Sequence, residues 1–182
     1  LAYLSQGYSV IPCRAGEKKP AVAWEGYQNR HSREDEIRQW WGRWPHANVA
    51  IVCGEISGLT VLDVDGPEGI QSSKAISVPN TRVVKTPKGF HLYYRYNRDF
   101  HTGVAFLPGI DVRSGEIGKG NSGYVVAPPS IVDGKPYTVL RDRAIVALTV
   151  DVDAFTSRHR NGHTPEGAQP TWVTQTLAGV GE

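Results

Sequence analysis

Apolar and polar residues alternate along much of the chain with a period of two, which is the period that β-strands produce. Turn-forming residues separate the alternating runs, so the pattern predicts a series of short strands. The predicted strands cover residues 7–13, 48–53, 59–65, 82–86, 90–96, 109–114, 123–129 and 137–140. Residues 54–58 are hairpin-like and join the second strand to the third, and residues 87–89 form the turn of a second hairpin.

Two segments have helical rather than strand patterns. Ser32, with Asp35 three residues on, forms a helix-start signature, and Pro45 ends the segment. Between them, four apolar residues follow the spacing i, i+3, i+4 and i+7: Ile37, Trp40, Trp41 and Trp44. This stripe is typical of core packing rather than of a surface for stacking bases. A second short helix is predicted to begin at Pro67, because proline is favoured at the start of a helix.

Strands outnumber helices, so the pattern predicts an α+β fold of sheet and packing helices rather than a doubly wound βαβ fold. We expect one domain over residues 1–156. Residues 157–182 are polar and rich in Gly, Pro and Thr, which is typical of a linker or a docking segment to a missing downstream domain. His159 and His163 lie there, where a glycine and a proline disfavour the helix that would present them to a metal.

Composition limits the class of protein. The 182 residues include 40% hydrophobic residues and five tryptophans, as in a globular domain, and a net charge of +2 would not repel a phosphate backbone. Cys13 and Cys53 lie in apolar stretches, so we expect buried free thiols and no zinc site. Without a membrane-length apolar run or a signal-peptide pattern, we expect a cytoplasmic protein with no membrane contact. The absence of methionine leads us to expect a fragment or processed form.

Candidate chemistry begins at the strand LTVLDVD. Asp63 and Asp65 are one residue apart and therefore share a face, where they can bind Mg²⁺ or Mn²⁺. The alternative is that an aspartate at a strand end caps the following helix. A second copy of the pattern, Asp151 and Asp153, looks like a helix start with acids in the first turn.

The strand FHLYYRY and its preceding turn form the second candidate. His91, Tyr93 and Arg95 share one face, opposite the apolar face of Phe90, Leu92, Tyr94 and Tyr96. The turn offers two ammonium groups, a hydroxyl and unobstructed backbone N–H groups from Lys85, Thr86, Lys88 and Gly89. These groups suit a phosphate. The alternative is an exposed basic hairpin without a function.

Asp111 and Arg113 form the third candidate, since they share a face of their strand. They can be a plain ion pair. If Asp111 instead converges on Asp63 and Asp65, three carboxylates can hold two divalent ions, and Arg113 can reach a triphosphate.

Several motifs in this order give the chain a family resemblance. They are KKP at 18–20, Trp24, the WW pair at 40–41, PHANVAIVCG at 45–54, SGLTVLDVDG at 57–66, VVKTPKGFHLYYR at 83–95, GIDVRSG at 109–115 and GYVVAPPS at 123–130. The series, which covers most of residues 1–140, resembles the bifunctional primase-polymerase domain of the archaeo-eukaryotic primase superfamily.

The resemblance implies a prim-pol fold, with an RRM-like catalytic sheet and packing helices, and two divalent ions, Mg²⁺ or Mn²⁺. It implies that Asp63, Asp65 and Asp111 hold the ions and that His91 contacts the phosphates of the incoming nucleotide. The implied triphosphate neighbours are Lys85, Thr86, Lys88, Gly89 and Arg113. Gly89 stands where some primases of the superfamily have a serine, and the zinc-binding insertion of some relatives is absent.

The expected function is template-directed nucleotidyl transfer, as DNA primase and DNA polymerase, in a phage, plasmid or bacterial replication protein. The expected partners are a single-stranded DNA template, dNTP or NTP substrates and a downstream helical or helicase domain. One alternative is a non-catalytic single-stranded nucleic-acid-binding module that uses Tyr93 and Arg95. Another is a two-metal nuclease or phosphohydrolase, which shares the acids but needs no triphosphate pocket.

Overall fold

The computed structural model describes residues 1–76 and 78–149. The α-helices within them are α1 (Ala2–Ser5), α2 (Glu34–Arg43) and α3 (Gly66–Ala75), and short 3-10 helices span Glu25–Gln28 and Glu55–Ser57. The strands are β1 (Val10–Cys13), β2 (Asn48–Val52), β3 (Leu59–Asp65), β4 (Arg82–Lys85), β5 (Gly89–Arg95), β6 (Gly103–Leu107), β7 (Ile110–Arg113), β8 (Tyr124–Ala127), β9 (Ile131–Val132), β10 (Lys135–Pro136), β11 (Thr138–Arg141) and β12 (Val146–Ala147). Each predicted strand is present within a few residues of its expected bounds. The predicted helix start at Asp151 and Asp153, the two tail histidines and the segment 157–182 lie outside the described residues.

The strands form two main sheets and a small hairpin. Strands β1, β2 and β8 make a three-stranded antiparallel sheet, in which β2 is central. The larger sheet has the order β11-β4-β5-β3-β7-β6, and β12 runs parallel to β5. Strands β9 and β10 pair separately. Mostly antiparallel sheets with few helices confirm the predicted α+β class.

The predicted hairpin between the second and third strands is wrong. β2 pairs with β1 and β8, whereas β3 pairs with β5 and β7 in the other sheet. A strand has two edges, and both edges of each strand are already used, so β2 and β3 cannot pair along their length. A single bridge, Gly54 to Leu59, joins them, and the intervening 3-10 turn carries the chain from one sheet to the other.

Helix α2 begins one residue later than its predicted signature. The N-cap is Arg33, and the Glu36 carboxylate accepts a hydrogen bond of 2.8 Å from the Arg33 amide. The predicted capping residue, Ser32, instead accepts a hydrogen bond from the Val10 amide of β1 with its hydroxyl. This serine therefore ties the start of the helix to the small sheet.

The tryptophan stripe of α2 packs into the core, as its spacing predicted. Ile37 and Trp40 are buried, and Trp41 and Trp44 are partly buried against the same apolar cluster. The rings of Trp40 and Tyr27 meet edge to face at 5.3 Å.

Two apolar cores lie on opposite faces of the large sheet. One core includes the small sheet, α2 and the face of the large sheet that carries Val61 and Tyr93. The other includes Leu62, Leu92 and the residues packed under α3. The sequence predicted a single apolar face on β5, and this is wrong because the small sheet covers the other face as well. His91 is consequently only 3% exposed.

Both cysteines are free and buried, as predicted. Burial raises the pKa of the Cys13 thiol to about 12, and it raises the pKa of the Cys53 thiol further. Neither thiol is ionised near neutral pH. In the part of the chain that the structure describes, no helix is long and apolar enough to cross a membrane.

Candidate functional site

Three neighbouring strands of the large sheet place Asp63 between His91 and Asp111. Asp63 on β3 lies directly opposite His91 on β5 and directly opposite Asp111 on β7. Residues paired in this way share a face, with Cβ atoms about 4.5–5.5 Å apart. The pairing register, rather than any loop, brings these three side chains together.

The end of β3 is fixed from both sides by backbone hydrogen bonds. The Asp65 amide donates to the Gly109 carbonyl at 2.8 Å, and the Gly66 amide donates to the Lys88 carbonyl at 3.0 Å. Gly89 lies opposite Asp65, where a Cβ atom would come within 1.9 Å of the Val64 carbonyl oxygen. Glycine is therefore required here by the close approach of two strands.

Asp63 is the most enclosed of the three acids, and its side chain is 13% exposed. Its Oδ1 lies 3.3 Å from His91 Nε2, and its Oδ2 lies 4.0 Å from Arg113 Nη2. Burial acts to raise the pKa of this carboxyl, but His91, Lys18 and Arg113 outweigh burial and hold the pKa below its ordinary value. Asp63 is therefore ionised in a cation-rich surrounding.

Asp65 occupies the N-cap position of α3, yet its carboxylate makes no capping hydrogen bond. The helix-capping alternative therefore does not account for this side chain. Burial raises the pKa of Asp65, and the charge of Asp63 raises it further. Two acids on one strand thus repel each other, which is the situation that a bound cation relieves.

Asp111 and Arg113 form the ion pair that the sequence allowed. Arg113 Nη2 donates to Asp111 Oδ2 at 2.8 Å, and both side chains are about one-quarter exposed. The same Nη2 atom lies within 4.0 Å of Asp63 Oδ2. The pair therefore belongs to the group of charges around Asp63 rather than to an isolated surface contact.

A cleft of about 360 Å³ opens between the two sheets above this group. Asp63, His91 and Arg113 line it from the large sheet. Its other residues come from the small sheet and from connecting segments: Lys18, Trp24, Thr102, Ser122, Gly123, Tyr124, Val125, Val126 and Tyr137. The Trp24 and Tyr124 rings meet edge to face at 5.0 Å.

Sequence reasoning assigned no role to Lys18 or Tyr137. Lys18 is exposed in a loop before β2, and its charge acts on both Asp63 and Asp65. Tyr137 precedes β11, and its ring centroid lies 5.7 Å from that of His91. Lys18 lies in the KKP motif, which was already part of the family resemblance and could have indicated a role for this residue. Nothing in the local pattern singles out Tyr137.

The predicted phosphate turn lies beside Asp65 and does not line the cleft. The Thr86 hydroxyl accepts hydrogen bonds from the Lys88 and Gly89 amides, so these groups already have partners within the turn. Lys85 pairs with Phe90 and so stands on the face opposite His91. Lys88 is exposed, and its charge acts on Asp65.

The acids fit a divalent cation that completes its coordination shell with substrate. Among residues 1–76 and 78–149, no three Asp, Glu, His or Cys side chains are grouped tightly enough to form a metal site from protein alone. Mg²⁺, however, commonly takes one or two carboxylates together with water and substrate phosphates. Asp65 Oδ1 is buried and accepts no hydrogen bond from the described residues, whereas buried carboxylate oxygens are normally paired. Asp63 Oδ1 is also buried and faces the His91 imidazole at 3.3 Å.

A larger groove of about 910 Å³ lies away from these charges, between α1, α2 and β2. Its lining includes Leu4, Ile37, Trp41 and Val49, and none of the candidate acids reaches it. The smaller cleft is therefore the one that carries candidate chemistry.

Comparison with known families agrees with this geometry. A family model described as bifunctional DNA primase/polymerase, N-terminal, matches residues 1–153. No curated protein matches the chain.

Proposed function

Because the chain belongs to the bifunctional DNA primase/polymerase family, we propose that it is a template-directed nucleotidyltransferase that synthesises primers and extends them on single-stranded DNA. The substrates are deoxynucleoside or ribonucleoside triphosphates. The catalytic domain covers residues 1–156.

One observation carries this proposal. Asp63 lies between His91 and Asp111 on adjacent strands, and Arg113 of the large sheet and Lys18 of the loop before β2 face the same cleft. A polymerase must hold divalent ions and a triphosphate side by side, so it needs carboxylates and cationic side chains in one place. Both kinds of group meet here.

In this mechanism Asp63, Asp65 and Asp111 hold two ions, Mg²⁺ or Mn²⁺, and none of these acids is the nucleophile. The ions, when bound, lower the pKa of the attacking 3′-hydroxyl and neutralise charge on the leaving pyrophosphate. The rigid end of β3 keeps Asp63 and Asp65 in place, since backbone hydrogen bonds fix it on both sides.

The triphosphate lies against the cations of the cleft. His91 contacts its phosphates from the large sheet, where the ring is 3% exposed and its Nδ1 has no hydrogen-bond partner among the described residues. Arg113 and Lys18 line the same cleft, and the charges of both act on Asp63. Charge that grows on the phosphates in the transition state is stabilised by groups that are already oriented.

The turn before β5 contributes fewer groups to triphosphate binding than the sequence implied. Lys88 is the member best supported as a triphosphate neighbour, because its charge acts on Asp65. Lys85 faces away from His91, and the Gly89 amide donates a hydrogen bond to the Thr86 hydroxyl. The roles of Lys85, Thr86 and Gly89 as triphosphate neighbours stay predictions.

We also propose that the large sheet is the RRM-like catalytic sheet of the prim-pol fold. Residues 157–182 would connect this domain to a downstream helical or helicase domain in a phage, plasmid or bacterial replication protein.

The test is incorporation of labelled nucleotide by the 182-residue chain with a primed single-stranded template and Mn²⁺. We expect template-directed extension with dNTPs, NTPs or both. Parallel reactions with each class of nucleotide show which class is incorporated. Degradation of the labelled template without extension would favour the nuclease alternative. Divalent-independent binding without extension would favour the non-catalytic module, although Tyr93, its main stacking residue, is only 2% exposed.

A further inference from the structure

The hydroxyl of Tyr137 is a buried hydrogen-bond donor without an acceptor in the part of the chain that the structure describes. Tyr137 is 1% exposed, and its hydroxyl has no hydrogen-bond partner among the described residues. Tyr93 and Tyr96 share that second property. Of these three tyrosines in the part of the chain that the structure describes, Tyr137 alone lines the cleft above Asp63.

A donor in this position is unfavourable for the protein on its own. Burial removes the hydroxyl from water, and no acceptor among the described residues replaces the lost hydrogen bond. A phenylalanine would fill the same space without that cost. The hydroxyl is therefore most readily explained by an acceptor that arrives with a ligand.

The surroundings of Tyr137 define the chemistry of that acceptor. Its ring lies beside His91, with centroids 5.7 Å apart, and the cleft also contains Lys18 and Arg113. Burial raises the pKa of the Tyr137 hydroxyl, and the charges of Asp63 and Asp65 raise it further, so the hydroxyl stays protonated. A protonated hydroxyl can donate to an anionic oxygen, and Lys18 and Arg113 of the same cleft would attract such an oxygen despite the nearby carboxylates.

The position of Tyr137 is fixed before any ligand binds. Its amide donates to the Ser130 carbonyl at 2.8 Å, and the next residue, Thr138, pairs with Lys85 of β4. The ring also belongs to the core between the two sheets. A side chain held in this way loses little conformational freedom when a ligand binds.

We propose that the Tyr137 hydroxyl donates a hydrogen bond to a phosphate oxygen of the nucleoside triphosphate bound beside Asp63. Tyr137 is thus a nucleotide-binding residue contributed by the segment before β11. The inference rests on the proposed function, since that function supplies the triphosphate.

The test compares Tyr137→Phe with Tyr93→Phe in the 182-residue chain. Both substitutions remove a buried hydroxyl that lacks a partner within residues 1–76 and 78–149, but Tyr93 does not line the cleft. We expect both variants to melt a few degrees higher than the parent chain. We expect Tyr137→Phe alone to weaken calorimetric binding of dATP with Mg²⁺, roughly 10- to 100-fold.

Inorganic tripolyphosphate with Mg²⁺ identifies which part of the nucleotide is contacted. If Tyr137 contacts phosphate, Tyr137→Phe should weaken tripolyphosphate and dATP by a similar factor. Unchanged tripolyphosphate binding beside weakened dATP binding would overturn the phosphate assignment in favour of the sugar or base. Unchanged binding of both ligands would overturn the role of Tyr137 altogether.

Failure of the proposed function is distinguishable from these outcomes. A parent chain that binds dATP but incorporates no label contradicts the polymerase activity, while the affinities still decide the role of Tyr137. A parent chain that binds neither dATP nor tripolyphosphate would overturn both proposals.

Discussion

Replacing Asp111 by asparagine separates the catalytic part of the proposal from the stability of the fold. Asparagine keeps the volume of aspartate and an oxygen that can accept a hydrogen bond from Arg113, but it removes the negative charge. If Asp111 holds a catalytic ion, this change should damage activity far more than folding.

The structure sets the expected cost to stability. Asp111 and Arg113 are 2.8 Å apart, and their side chains are 28% and 26% exposed. Solvent-exposed ion pairs contribute about 0–1 kcal/mol, and in this partly buried pair asparagine still accepts the hydrogen bond from Arg113, so only the charge is lost. We therefore expect Asp111→Asn to lower the free energy of unfolding by less than about 1 kcal/mol.

The expected cost to activity is much larger. Metal-ion catalysis contributes several kcal/mol of charge stabilisation to the transition state. A loss of about 4 kcal/mol corresponds to a rate roughly 10³-fold lower. We therefore expect primer extension by Asp111→Asn to fall by about that factor, with Mg²⁺ and with Mn²⁺.

Asp142→Asn is the matched control. Asp142 also accepts hydrogen bonds from an arginine, Arg82, but Arg82 does not line the cleft, whereas Arg113, the partner of Asp111, does. Primer extension in single-turnover reactions gives the rate, and urea denaturation gives the free energy of unfolding. Near-parental extension by Asp111→Asn, or an equal loss in Asp142→Asn, would refute the three-acid site.

Three further predictions concern the surroundings of the site and the fold. Gly89→Ala should lower the free energy of unfolding in urea by about 3 kcal/mol, because its Cβ would clash with a backbone oxygen at 1.9 Å; unchanged stability would contradict the close approach. Lys18→Ala should raise the apparent KM for nucleotide roughly 3- to 10-fold, whereas Lys19→Ala, in the same exposed loop, should leave it unchanged. Hydrogen bonds from Arg30 hold the pKa of the Glu36 carboxyl at about 2, below its ordinary 4.5. Glu36 therefore stabilises the fold above about pH 4.5, and this contribution is lost as the pH falls through about 2. Glu36→Gln should therefore cost about 1 kcal/mol in urea denaturation at pH 7 and clearly less near pH 2, where the carboxyl is half protonated; a deficit of the same size at both pH values would contradict this assignment.

The alternating pattern of the sequence was sufficient to predict the faces of the strands. Asp63 and Asp65 share a face of β3, and Asp111 and Arg113 share a face of β7, because side-chain direction depends only on local position in a strand. The α+β class followed from the excess of strands over helices. These features depend only on residues that are close together in the sequence, so a local pattern is enough to predict them.

The hairpin of β4 and β5 was predicted from its turn, but strand partners far apart in the sequence and the walls of the cleft could not be predicted in the same way. The segment 54–58 has the composition of a hairpin turn, but the pairing of β2 with β8 depends on residues far along the chain. The small sheet buries the His91 face of β5, and the sequence of β5 alone does not indicate this packing. Tyr137 reaches the site through the same long-range packing, so its local sequence carries no signal.

The placement of Asp63 between two partners limits where the length of the chain can change. A residue inserted or deleted within Leu59–Asp65 would turn every following side chain to the other face, so that Val64 rather than an acid would enter the cleft. The exposed loop at residues 117–121 carries no such constraint, because it contributes no side chain to the cleft. We therefore expect a change of length in that loop to cost hydrogen bonds to Asn29 and Glu55 but to leave the acids in place, whereas the three central strands must keep their length.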